Sequence, residues 1–152
     1  MRKIKPLTLG KLIEKIDNII DNRKESIEAL VFYDFCNLYP ASIHSWRGNY
    51  HDVALDYDMC KYAAYSNNLS LKEFHTLLKD TIGKIFTGYK GGDYKMTKES
   101  LVWADCYGEC SRTAIIDVID VEDRIVLVTK YICDWLFKLF SFYYVLFLKI
   151  ML

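Results

Sequence analysis

Between residues 44 and 51 the chain carries two imidazoles (His44, His51), an indole (Trp46), a guanidinium (Arg47) and a phenol (Tyr50). The hydroxyls of Ser42 and Ser45 and the carboxylate of Asp52 stand alongside. A guanidinium presents a rigid fork of donors that suits phosphate or carboxylate, and neighbouring aromatic rings can stack on a base or sugar. Together these groups have the chemistry to hold an anionic, nucleotide-like ligand. The competing account is structural: Arg47 pairs with Asp34 or Asp52, and Trp46 fills the core. A third reading makes His44 and His51 a general acid and base, which requires them to face one cleft. As metal ligands, His44 and His51 with Asp52 or Asp34 match no spacing signature, so no metal is expected.

A second constellation lies at Gly88-Tyr-Lys-Gly-Gly-Asp-Tyr94. Consecutive glycines at Gly91 and Gly92 can present backbone N–H groups as an anion nest, with Lys90 adding charge and Tyr89 and Tyr94 as covers. The alternatives are a clamp over a ligand and a plain tight turn. A nucleotide-triphosphatase loop is excluded, since the terminal Lys-Ser/Thr is missing. Trp103, followed by Asp105, Tyr107 and Glu109, marks a strand end where further contacts can gather. No Ser/His/Asp order stands out, and nothing activates Cys36. The expectation is therefore binding without turnover, with no cofactor, through His44, Ser45, Trp46, Arg47, Tyr50, His51, Tyr89, Lys90, Gly91, Gly92, Tyr94 and Trp103.

The elements that must position these residues are legible by periodicity. Leu9, Leu12, Ile13, Ile16, Ile19 and Ile20 form one helical stripe after a capping Thr8. Residues 29–35 read as a strand that feeds a turn at Pro40. Residues 50–65 stay ambiguous between strand and helix. Ser70-Leu-Lys-Glu73 is a capping box, with Leu69 and Phe74 as its staple, opening a helix over residues 71–83. Residues 100–105, 113–119 and 124–129 read as strands, the last two as a hairpin across the acidic turn 120–123. These make one α+β domain over residues 1–130: a small antiparallel or mixed sheet with two packed helices. A hydrophobic C-terminal helix over residues 131–152 would follow.

With 20 basic and 20 acidic residues among 152, the chain has zero net charge, which argues against a nucleic-acid partner. Five cysteines at no zinc-like spacing point to reduced, mostly buried thiols. No apolar stretch follows the basic opening residues as a signal peptide would require, so the bacterial cytoplasm is the expected compartment. Residues 131–152 hold only Asp134, Lys138 and Lys149 as charges. This tail is long enough to reach across a bilayer core, yet its uncharged run, residues 139–148, is half the usual span. A buried or self-associating helix, with the protein then a homo-oligomer, stands against inner-membrane association.

The motifs F-x-D-F-C-x-L-x-P-x-x-x-H-S-W-R-G-x-Y (Phe32 to Tyr50) and F-T-G-Y-K-G-G-x-Y-x-M (Phe86 to Met96) resemble a family of small proteins carried by phages and prophages. The opening Thr8-Leu-Gly-Lys-Leu-Ile fits the same pattern, and the resemblance covers residues 8–128. Arg47, Gly48, Tyr50, Gly88, Tyr89, Lys90, Gly91, Gly92 and Trp103 occupy its motif positions, while the tail departs from it. The family has no settled activity; what it implies is a phage accessory protein in the host cytoplasm. In that setting the ligand would be a host defence signal held by sequestration. The other readings are a protein-binding inhibitor of a host complex and a His-dependent phosphodiesterase.

Overall fold

The structure, a computed structural model, describes residues 4–23, 28–35, 37–57 and 68–132. It is an α+β domain. Helix α1 (Leu9–Asn22) begins where Thr8 accepts a hydrogen bond from the Lys11 N–H, and it buries Leu9, Leu12, Ile13 and Ile16. Helix α2 (Leu71–Thr81) opens on the expected capping box: the Ser70 N–H donates to Glu73 at 2.8 Å and the Glu73 N–H to Ser70 Oγ at 3.3 Å. Leu69 and Phe74, the staple pair, both enter the core. The helix stops two residues short of the expected Gly83, because the Gly83 N–H turns away to donate to the Met96 carbonyl.

Among the described residues there are eight strands: β1 (Leu30–Tyr33), β2 (Pro40–Ser45), β3 (Val53–Tyr57), β4 (Ile85–Thr87), β5 (Asp93–Lys95), β6 (Val102–Ala104), β7 (Thr113–Val121) and β8 (Arg124–Tyr131). Six form a mixed sheet in the order β1-β8-β7-β6-β3-β2, and β4 and β5 form a separate ribbon. Four strands were expected for this sheet. The turn-and-loop expected after residue 35 is instead strand β2, and the ambiguous stretch becomes β3. Strand β2 hides in the sequence because only Ala41 and Ile43 are apolar, while Ser42 and His44 alternate with them onto a polar face. The glycine loop likewise conceals a ribbon whose strands are three residues each.

Strands β1 and β2 are opposite edges of the sheet yet consecutive in the chain. In a flat six-stranded sheet they would stand about 24 Å apart. Here the Tyr33 N–H donates to the Leu38 carbonyl at 2.8 Å, and the Tyr33 hydroxyl crosses to the Leu55 carbonyl at 2.8 Å. The sheet is therefore curled into an incomplete barrel, closed on the side where Tyr33 joins the main core. Both helices pack into that side: Leu9, Leu12, Ile16, Phe74 and Leu78 meet Val31, Leu55, Ile115, Ile125 and Leu127, all fully buried. Each such side chain contributes roughly 1.5–3 kcal/mol of burial. The outer face carries a second, smaller core of Trp46, Ala54, Trp103 and Ala114. Period-two alternation sorts the faces, with Val53 and Leu55 inward and Ala54 outward, Val102 and Ala104 inward and Trp103 outward.

Two expectations on cysteine are corrected. Cys106 is disulfide-bonded, its partner lying outside the described residues, and Cys110 is exposed. Both sit in the surface turn after β6 and not in a buried strand. Cys36, Cys60 and Cys133, and the expected helix beyond residue 132, also lie outside the described residues. No described helix is long and apolar enough to cross a membrane.

Candidate functional site

Three turns meet at one end of the outer face: residues 46–52 between β2 and β3, residues 88–92 between β4 and β5, and residues 105–111 after β6. The two sequence constellations thus converge. Tyr94 packs against Tyr50 (ring centroids 5.0 Å apart) and edge-on against His51 (5.1 Å). The Arg47 guanidinium lies over the Tyr89 ring at 4.9 Å and donates to the Gly108 carbonyl at 2.7 Å. Tyr89 meets Tyr107 edge-on at 5.8 Å, and Tyr107 meets the His44 ring at 4.7 Å. The result is a continuous shelf running Arg47, Tyr89, Tyr107, His44, with Tyr89 half exposed and Lys90 exposed at its rim.

Behind His44 stands Asp56, fully buried on β3. Strand register places Ser42 opposite Asp56 and His44 opposite Ala54, so Ser42, His44 and Asp56 share the outer face. The Ser42 hydroxyl donates to Asp56 Oδ2 at 2.9 Å, and His44 Nε2 lies 3.1 Å from the same oxygen. That separation is an ion-pair distance, but the ring nitrogen is off the line a hydrogen bond needs. His44 Nε2 and Asp56 Oδ1 are accordingly buried without a hydrogen-bond partner. Nδ1 remains as the ring nitrogen not committed to Asp56.

The shelf is held in place from below. The Trp46 indole stacks on Trp103 with centroids 4.0 Å apart and donates to Asp105 Oδ2 at 2.8 Å. Asp105 also accepts from the Cys106 and Ser111 N–H groups, both at 2.8 Å, so one buried carboxylate ties the Trp pair to the turn that presents Tyr107 and Gly108. Asp52 does the same for the other turn, accepting from the Leu101 N–H at 3.0 Å. Burial pushes both carboxyls up, Asp105 to about 6, against the hydrogen bonds that favour their charged forms. Two glycines complete the fit. A Cβ on Gly48 would lie 2.3 Å from the Trp46 ring, which explains the Trp-Arg-Gly order of the motif. A Cβ on Gly108 would lie 2.5 Å from the Tyr89 ring, and its φ of +83° is one L side chains rarely adopt.

The raised Asp105 carboxyl has a measurable consequence. Between its ordinary value of 3.8 and about 6 the folded protein binds a proton that the unfolded chain does not. Stability therefore rises as pH falls through that window, by at most about 3 kcal/mol, and is flat with respect to this group above it. Asp52 acts in the same direction. Asp117 and Asp120, lowered by hydrogen bonds from Lys15 and Arg23, lose stability only at lower pH. We expect the urea midpoint to increase from about pH 7 to about pH 5, with most of the increase absent in Asp105→Asn. A midpoint that falls over this range would contradict the assignment.

Several expected ligand contacts are displaced by these facts. Trp46 and Trp103 are 7% and 8% exposed and stacked on each other, so neither offers a face to a base. Ser45 is buried and donates to the Tyr50 carbonyl, inside its own turn. The Gly91 N–H donates to the Gly88 carbonyl, which removes one donor from the expected anion nest. Arg47 pairs with neither Asp34, which accepts from Thr129, nor Asp52. His44 and His51 contact different tyrosines. Asp56 and Gly108 were missed; the one available signal was the alternation that sets a carboxylate opposite Ser42. Among the described residues no group of three His, Cys, Asp or Glu is arranged to hold a metal. An open groove of about 560 Å³ lies elsewhere, along α2 between Glu28 and Asp80, and touches none of the motif residues.

Fold and site together define a curled mixed-sheet α+β domain with a cationic and aromatic shelf on its outer face. Compared with known proteins, the chain matches no family model, no curated protein and no solved structure.

Proposed function

We propose that the protein is a phage-type accessory protein that holds a small anionic, nucleotide-like ligand on this shelf without turning it over, sequestering a host defence signal. The observation that carries the reading is Arg47, fixed over Tyr89 and against Gly108 in line with Tyr107 and His44. Arg47 and Lys90 would meet phosphate, the half-exposed Tyr89 ring would take the base, and His44 Nδ1 would meet a sugar or phosphate oxygen. The phage setting rests on the motif resemblance alone.

Calorimetric titration with mononucleotides and cyclic dinucleotides, with chromatography of the mixtures, tests this. Saturable binding with unchanged nucleotide is expected, and Tyr89→Ala should weaken it about tenfold at unchanged stability, a typical stacking loss. Conversion of any nucleotide, or equal affinity in the variant, would count against the reading. A second reading has an observation of its own: exposed Tyr89 and Arg47 on adjoining turns are the residue types that anchor protein interfaces. Capture of one host protein, with no heat from any nucleotide, would favour it.

A further inference from the structure

The zero net charge of the chain averages over a marked segregation. Residues 83–98, which include the whole β4–β5 ribbon, hold Lys84, Lys90, Lys95 and Lys98 against a single acid, Asp93. The segment is thus net +3 and the rest of the chain net −3. Elsewhere four of the cations are ion-paired: Lys15 with Asp117, Arg23 with Asp120, Lys79 with Asp17, Arg124 with Asp123. Among the described residues no acid pairs with Lys84, Lys90, Lys95 or Arg47; Lys84 instead lies over the Phe86 ring at 4.9 Å. Phe86 and Tyr94 hold the ribbon against the core, while Ile85, 60% exposed, and its register partner Lys95 face outward. The tip of the ribbon is Tyr89 and Lys90, at the end of the shelf.

We infer that the partner of this surface is single-stranded nucleic acid, with one nucleotide on the Arg47–Tyr89–Tyr107–His44 shelf and successive phosphates running along the β4–β5 ribbon. The inference rests on the shelf reading above and extends its ligand from a nucleotide to a strand. The ribbon from Lys84 to Lys90 is on the order of 20 Å long, more than one nucleotide can cover. Cations interleaved with exposed aromatic rings are the means by which proteins hold unpaired strands, with the backbone on the charges and the bases on the rings. A duplex offers no unstacked base to Tyr89. Asp93, which accepts from Thr87, and the exposed Glu109 are the acids flanking the path.

Fluorescence anisotropy with labelled oligothymidylate and oligouridylate of roughly 12 nucleotides, on the full chain, decides it. Four phosphate contacts predict that affinity falls about 50-fold between about 50 and about 200 mM salt. The double variant Lys84→Ala/Lys95→Ala should reduce that drop to about 7-fold and weaken oligonucleotide binding, while a mononucleotide binds as before. An oligonucleotide held no tighter than its mononucleotide, or a double variant with unchanged salt dependence, overturns the inference and leaves the shelf reading standing. Absence of binding by both probes overturns both. Binding to phosphatidylserine vesicles without oligonucleotide binding also overturns it, assigning the ribbon to a membrane surface.

Discussion

Trp46→Ala is expected to lower stability by about 5 kcal/mol, the largest effect of any single substitution at the site. Removing a buried indole leaves a cavity over Trp103, where the two rings now stack at 4.0 Å. It also takes one of three donors from Asp105, a carboxylate with no access to water to replace it. The cavity falls in the small outer core of Trp46, Ala54, Trp103 and Ala114, and the lost donor falls on the carboxylate beside it. Against a typical total of roughly 5–15 kcal/mol, the variant would be marginally folded at best. Trp46→Phe separates the contributions: it keeps most of the stack and loses only the N–H, at a cost of about 1–3 kcal/mol. Urea unfolding followed by circular dichroism measures both. A loss under about 2 kcal/mol for the alanine variant would mean that Trp46 is not the support described.

Arg47→Ala is expected to behave in the opposite manner, weakening binding of a phosphate-bearing ligand about 100-fold while changing stability by less than about 1 kcal/mol. The side chain is exposed, and its bond to the Gly108 carbonyl at 2.7 Å lies at the surface, where water can replace it. The guanidinium is oriented before any ligand arrives, by that carbonyl on one side and the Tyr89 ring on the other. Pre-orientation of this kind lowers the entropic cost of binding. Arg47→Lys should recover little, since an ammonium keeps the charge but loses the planar fork and its stacking on Tyr89. Full recovery in the lysine variant would reduce Arg47 to a point charge and remove the argument from geometry.

The contrast between these neighbours shows what the sequence could and could not disclose. Trp46 and Arg47 are adjacent and belong to one motif, and composition alone suggested that both meet a ligand. Strand alternation divides them, because β2 ends at Ser45 and the turn then sends the indole into the outer core and the guanidinium into solvent. The helices were legible because their signals are local: an apolar stripe in α1, and a cap, box and staple within six residues of α2. Strands β7 and β8 were legible for the same reason, as β-branched runs around an acidic turn. Strand β2 was not, since its outward residues are polar and face Asp56, which lies beyond a turn in the chain. The Tyr50 and Tyr94 turns do meet, as a single site drawing on both motifs requires. Their support by Asp105 and Gly108 depends on the pairing of β3 with β6, which no local pattern encodes.

Native mass spectrometry of the full chain purified from cells, with non-covalent ligands retained and Arg47→Ala beside it, tests the central claim most directly. The shelf reading predicts a phosphate-bearing nucleotide or short oligonucleotide on the natural chain and none on the variant. A bare protein in both preparations, or the same adduct in both, would contradict it.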